Sequence, residues 1–147
     1  MKLLIYYSLT GNLDYVATLL KDKGFELRKV TEKKRMPKSF FFRIFVGGFR
    51  ASINAKGKLV DYNPDVSSYE EVVIGSPIWN GRFPPAINSV LDETNLAAKK
   101  VTFLFSSGSG EGEKAEKWVK EHMPNASIIF LKDPKKHSHE LIKLDNL

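Results

Sequence analysis

The chain has 147 residues, 42% hydrophobic and 27% charged, with a net charge of +6. That suits one globular domain with a buried core. The absence of cysteine excludes disulfides, thiolate metal sites and thiol catalysis. The three histidines (His122, His137, His139) offer only an H-x-H pair in a lysine-rich tail, so no metal site is expected. The charge is uneven: residues 28–58 hold ten Lys/Arg against Glu32, a net +9 on a remainder at −3. After Lys2 only Leu3–Tyr7 are apolar before Ser8, too short for a signal peptide, and no run reaches transmembrane length. A cytoplasmic protein is the expectation, and the Asn125-Ala126-Ser127 glycosylation sequon then carries no weight.

The first strand is predicted over about Lys2–Tyr7, and a helix over about Asn12–Lys21 with Leu13, Val16, Ala17 and Leu20 on its apolar face. Lys23-Gly24 ends it, and Phe25–Val30 reads as a second strand. Thr31–Lys58 is unusual: Pro37 and Ser39 open a basic, Phe-rich helical pattern through Phe40, Phe41, Ile44, Phe45 and Phe49, broken by Gly47-Gly48. It reads as a cover for one sheet face, with a membrane-surface helix or a docking surface for an acidic partner as the alternatives. Glu71–Gly75 is a continuously apolar third strand, as where both faces are covered. Pro84 or Pro85 starts a helix bearing Ile87, Val90 and Leu91. Val101–Phe105 is the fourth strand, followed by a helix with Ala115, Trp118 and Val119 inward. Ser127–Leu131 is the fifth strand, and Lys135–Leu144 a short final helix. No repeat or linker divides the chain.

Five alternations of strand and helix predict an α/β fold with a parallel sheet between helical layers. Ligands of such sheets bind beyond the carboxyl ends of the strands, where the strand order reverses. Loops rich in glycine or hydroxyls follow strands one, three and four (8–13, 76–83 and 106–112), and a strand order of 2-1-3-4-5 makes those strands neighbours.

The first loop, Ser8-Leu9-Thr10-Gly11-Asn12-Leu13, presents backbone N–H groups at a helix start, together with two hydroxyls and a glycine, so it suits a phosphate. It has no lysine, which excludes a Walker-type loop, and no GxGxxG dinucleotide fingerprint is present. Hydroxyls and amides alone suit a single terminal monoester. The turn resembles the phosphate loop of flavodoxins, [ST]-x-T-G-x-[TS], except that Leu13 replaces the last hydroxyl and leaves one side-chain hydrogen bond missing. The second loop and its helix, with Gly75, Ser76, Pro77, Trp79, Gly81, Pro85 and Ile87 in place, resemble the flavin-contacting G-[ST]-P-x-W-x-G…P-P-x-I segment of that family. Ser107-Gly108-Ser109-Gly110 resembles its third loop, without the aromatic residue many flavodoxins carry there. Gly47-Gly48-Phe49-Arg50-Ala51 is also similar to a segment of some small family members.

The resemblance implies a flavodoxin-like three-layer sandwich over residues 1–147, with an insertion at about 31–58. It implies non-covalent FMN: the phosphate on Ser8, Thr10, Gly11, Asn12 and Leu13, and the ring against Pro77, Ile78, Trp79, Asn80 and Gly81. Trp79 would stack on the ring, and the amides of Ser107, Gly108, Ser109 and Gly110 would meet its pyrimidine edge. Asn80-Gly81 stands where family members present a peptide to flavin N5, and a glycine would let that peptide turn over when N5 gains a hydrogen.

The function so implied is electron transfer to a redox partner protein by a monomer or weak dimer. Flavodoxins are usually acidic, so the basic segment shifts the expected partner toward an acidic one. Ser76-Pro77-Ile78-Trp79-Asn80-Gly81 is also similar to the P-x-Y-N-G loop of NAD(P)H-dependent FMN or quinone reductases, which stay as the alternative, beside a non-redox flavin-binding module. A receiver domain needs acidic residues after strand one and an aspartate after strand three, where Tyr6-Tyr7-Ser8 and Ser76-Pro77 stand. A serine-hydrolase elbow is absent. No nucleic-acid-reading motif accompanies the basic segment, so no nucleic acid is expected.

Overall fold

The computed structural model describes residues 1–33 and 56–147. Five strands, β1 (Lys2–Tyr6), β2 (Phe25–Lys29), β3 (Glu71–Pro77), β4 (Lys100–Ser107) and β5 (Ser127–Lys132), form one sheet in the order β2-β1-β3-β4-β5. All four pairings are parallel, in registers such as Tyr6 with Gly75 and Ile74 with Phe103. The expected topology is therefore the one observed.

Alternating side chains sort onto the two faces. Leu4, Tyr6, Val73, Leu104 and Leu131 face α1 (Asn12–Asp22), which answers with Leu13, Val16, Ala17 and Leu20. Leu3, Ile5, Val72, Ile74, Phe103 and Phe105 face α2 (Pro85–Glu93) and α3 (Glu113–His122), which contribute Ala86, Ile87, Val90, Ala115 and Val119. The second face is aromatic: Phe83 lies 5.5 Å from Trp118 and 5.6 Å from Phe105, ring centre to ring centre. Each fully buried Phe or Leu contributes about 1.5–3 kcal/mol, so covering both faces is what makes the long apolar runs of β3 and β4 stable in a sheet.

Two expectations are corrected. The final helix starts at Ser138 rather than Lys135 and is a 3-10 helix over Ser138–Leu144. Residues 133–137 are spent on a turn in which the Lys136 and His137 N–H groups both donate to the Asp133 carbonyl (2.8 and 3.0 Å). β3 and β4 also run on into Pro77 and Ser107, past their apolar stretches. Between two buried neighbours the backbone polar groups need ladder partners whatever the side chain is.

The Phe-rich helix expected after Pro37 lies outside the described residues. The flanks of that segment meet: Glu32 bridges Leu59 antiparallel, and the Lys33 N–H donates to the Lys58 carbonyl at 2.8 Å. The returning chain is fastened to α2, where the Ser89 hydroxyl donates to the Gly57 carbonyl at 2.5 Å. Of the ten basic residues of 28–58, Arg28 donates to the Asn63 and Asp65 carbonyls, Lys29 pairs with Asp14 and Lys56 with Asp92. Among the described residues no helix is long and apolar enough to cross a membrane.

Candidate functional site

The turn from β1 into α1 leaves its donors uncovered. Gly11 is the N-cap, in the left-handed region (φ 89°), and has no side chain of its own to cap the helix. Its carbonyl accepts the first helical bond, from Tyr15 N–H at 3.0 Å. The Asp14 N–H donates to the Ser8 hydroxyl at 3.4 Å, so Ser8 folds back across the turn. The N–H groups of Thr10, Gly11, Asn12 and Leu13 meet no acceptor among the described residues. Consecutive amides without an acceptor at the positive end of a helix, beside a glycine, form a cradle for an anion. Beneath it, burial and then the neighbouring Asp14 carboxylate raise the pKa of Tyr6, which stays a neutral phenol.

The second loop is a tight hairpin. Trp79 and Arg82 exchange two backbone hydrogen bonds of 3.0 Å, and the residues between them, Asn80 (φ 51°) and Gly81 (φ 75°), both take the left-handed conformation. That is the geometry an Asn-Gly pair favours. The Gly81 carbonyl is pinned by the Ala115 N–H of the first turn of α3 at 2.8 Å, and the Ile78 N–H donates to Ser106 O at 3.1 Å. Ile78 also presses on Gly112, the N-cap of α3: a Cβ there would come within 2.9 Å of two Ile78 carbons. Trp79, expected to stack on the ring, is half-buried. It packs edge-on against Tyr7, ring centres 5.8 Å apart, which joins the first and second loops.

In the third loop the hydroxyls are turned to the loop itself. Ser107 Oγ donates to Glu111 O (2.9 Å) and accepts from Glu111 N–H (3.0 Å), and Ser109 Oγ accepts from the same N–H at 3.2 Å. Gly108 and Ser109 are exposed at the rim. With the Ser107 hydroxyl so occupied, this loop can offer a ligand its backbone.

A fourth segment reaches the site that sequence reasoning missed. After β5 the chain turns at Asp133 (φ 37°) and comes back to the start of α1. Asn12 Nδ2 donates to Asp133 Oδ1 and the Lys135 N–H donates to Asn12 Oδ1, each at 3.4 Å. Asp133 Oδ2 lies 3.9 Å from where a Gly108 side chain would begin, and Lys135 Nζ 3.6 Å from the same point on Gly11. Asp133-Pro134 at the end of a strand was the only sequence signal for this turn.

All the residues expected at the site thus sit at the carboxyl ends of β1, β3 and β4. Tyr7–Trp79 links the first loop to the second, Ile78–Ser106 the second to β4 below the third, and Asn12–Asp133 the first to the return from β5.

The sequence profile described as flavodoxin matches residues 50–144. The chain belongs to the flavodoxin family. The match takes in the second and third loops and the return from β5; the 8–13 turn lies outside it and stands on its own geometry. No curated protein matches the chain. Among solved structures, a flavoprotein from Lactobacillus acidophilus NCFM in complex with FMN is similar with a TM-score of 0.73 at 20% identity, over 94% of this chain and 96% of that one. A putative flavoprotein from Bacteroides eggerthii DSM 20697 has a TM-score of 0.69 at 19% identity, over 96% and 95% of the two chains. One from Bacteroides uniformis ATCC 8492 has 0.69 at 21%, over 86% and 85%. At these identities the likeness is one of fold.

Proposed function

We propose that this flavodoxin-family chain is a single-domain, cytoplasmic FMN-binding electron carrier. The observation that carries this reading is the cradle of open N–H groups at residues 10–13, with the Trp79 hairpin and the 107–110 backbone grouped at the same sheet edge. The residues fit the group: amides and a hydroxyl for a phosphate monoester, an indole for a flat ring, and a glycine-serine backbone for the ring's polar edge. Bound FMN would supply the electron chemistry, and the protein binds, orients and shields it.

Each part of the chain has its task. The 10–13 amides hold the phosphate without a Walker-type lysine, which favours a monoester over a triphosphate. Trp79, braced by Tyr7, covers one side of the ring and excludes water there. The N–H groups of Ser107–Gly110 orient the pyrimidine edge, with Ser107 and Ser109 holding the loop in shape. The Asn80–Gly81 turn presents its peptide to the ring, fixed on its far side by the Ala115 N–H. No side chain is asked to act as acid, base or nucleophile.

The charge supports an acidic redox partner. Lys56, Arg82 and Lys114 line a cleft of about 260 Å³ beside the Gly81 turn together with Asp92, which pairs with Lys56, and the remaining positive charge would steer an acidic protein toward this side of the turn. A monomer or weak dimer fits this transient docking.

The test is flavin uptake by the purified protein, followed by flavin absorbance and fluorescence quenching. FMN bound one to one, and far more tightly than riboflavin, is the expected result. A protein that takes up neither flavin is not what this reading describes.

A further inference from the structure

Building on the FMN reading, we infer that the return from β5 is a fourth wall of the phosphate site, with Lys135 as a charged ligand of the phosphate. The 8–13 turn offers an arriving dianion amides and hydroxyls but no cation, and no lysine or arginine lies within it. The tertiary fold supplies one from 122 residues further along the chain, placing Lys135 Nζ 3.6 Å from the side-chain position of Gly11.

The placement is enforced by the backbone. Asp133 takes its left-handed conformation where its N–H still donates to Ser107 O at 3.1 Å, as the last link of the β4–β5 ladder. From there its carboxylate accepts from the Asn12 amide, and the Asn12 carbonyl oxygen accepts from the Lys135 N–H. Asn12 is the first residue of α1, so these two bonds set Lys135 over the helix start.

Electrostatically this is the wrong place for a lone ammonium. Cations are disfavoured at the positive end of a helix, and favoured there once an anion occupies it. Lys135 forms no ion pair among the described residues. The carboxylate nearest to it in the chain, Asp133, has one oxygen on the Asn12 amide and the other toward Gly108. A phosphate held by the amides of residues 10–13 lies within the sweep of the Lys135 side chain and would be the counterion that the ammonium lacks. The consequence is selectivity: Lys135 acts on FMN through the phosphate and on riboflavin not at all.

The experiment compares wild type, Lys135→Gln and Lys135→Arg for FMN and riboflavin binding by fluorescence quenching at low and high salt. One exposed charge-assisted contact is expected to make Lys135→Gln weaker for FMN by roughly five- to tenfold at low salt. The gap to wild type should close at high salt. Riboflavin binding should be unchanged, and Lys135→Arg should stay close to wild type. Wild type that binds FMN with Lys135→Gln unaltered overturns this inference alone. Equal weakening of FMN and riboflavin also overturns it, by revealing a structural effect. Wild type that takes up no FMN overturns the cofactor reading, and this inference with it.

Discussion

Replacing Gly112 by alanine probes how firmly the second loop is set against α3. The backbone at Gly112 is extended (φ −169°), so alanine meets no conformational strain. The obstacle is Ile78, whose Cδ1 and Cγ1 would lie 2.9 Å from the new Cβ and whose Cγ2 would lie 3.2 Å away. Carbon atoms pack best at about 3.5–4.0 Å, so the overlap exceeds half an ångström on two atoms. Rotation of the chain end relieves Cδ1 but not Cγ1, which is bonded to Cβ of a branched side chain. The loop itself must therefore move, against the Ile78–Ser106 and Gly81–Ala115 hydrogen bonds that hold it. Overpacking of this kind costs about 1–3 kcal/mol, which for a chain of this length lowers Tm by roughly 3–10 °C. The assay is a double-mutant cycle by thermal and urea denaturation, with Ile78→Ala as the partner substitution. Ile78→Ala alone opens a small cavity, yet in the Gly112→Ala background it should recover stability, with a coupling of about 1 kcal/mol or more. Gly112→Ala as stable as wild type, or a loss that simply adds to that of Ile78→Ala, would refute the reasoning.

Gly81→Ala has room, since the nearest Lys114 atoms lie 3.8 Å away, but its φ of 75° costs an ordinary residue about 1–2 kcal/mol; Gly81→Asn, which tolerates that conformation, should lose less in the same denaturation assay. Asn12→Ala removes both long hydrogen bonds to the return from β5, and FMN affinity measured by fluorescence should fall roughly two- to fivefold. Glu140 is held below its ordinary pKa of 4.5, first by its hydrogen bond to Lys143, then by the Lys132 N–H. Its contribution to stability is therefore complete above pH 4.5 and is lost as pH falls through the lower folded value. Glu140→Gln should be less stable near neutrality and should lose less on acidification, as read from Tm against pH.

The sheet was legible because its signals are local. Leu3–Tyr7 and Val72–Ile74 are continuous apolar runs, Val101–Phe105 is one broken only by Thr102, and each is followed by glycine or hydroxyl residues that cannot extend it. The three loops were therefore identified with their residues, and the Asn80-Gly81 pair sits at the tip of a real hairpin. What escaped depends on contacts distant in sequence. Nothing near Asp133 says that its carboxylate will meet Asn12, because that contact exists only once β5 lies beside β4 and the tail recrosses the face carrying α1. From Lys135 to Leu144 the tail has apolar residues only at Leu141, Ile142 and Leu144, so nothing local marks where its helix starts, and the Asp133 turn takes up the residues before Ser138. Trp79 was read from the motif of its loop, whereas its edge-on contact with Tyr7 joins residues 72 apart in sequence and appears only in the fold. Ser107 and Ser109 were singled out for their backbone amides, and their side chains prove to be committed to Glu111.

We propose that this chain carries electrons on bound FMN. This is tested most directly by anaerobic reduction of the FMN-loaded protein followed in the visible spectrum, with dithionite, NADH and NADPH in parallel. Stepwise, one-electron spectral changes with dithionite, and none with either nicotinamide, are the expected result. Direct two-electron bleaching by NADH or NADPH would contradict the carrier and make the protein a reductase.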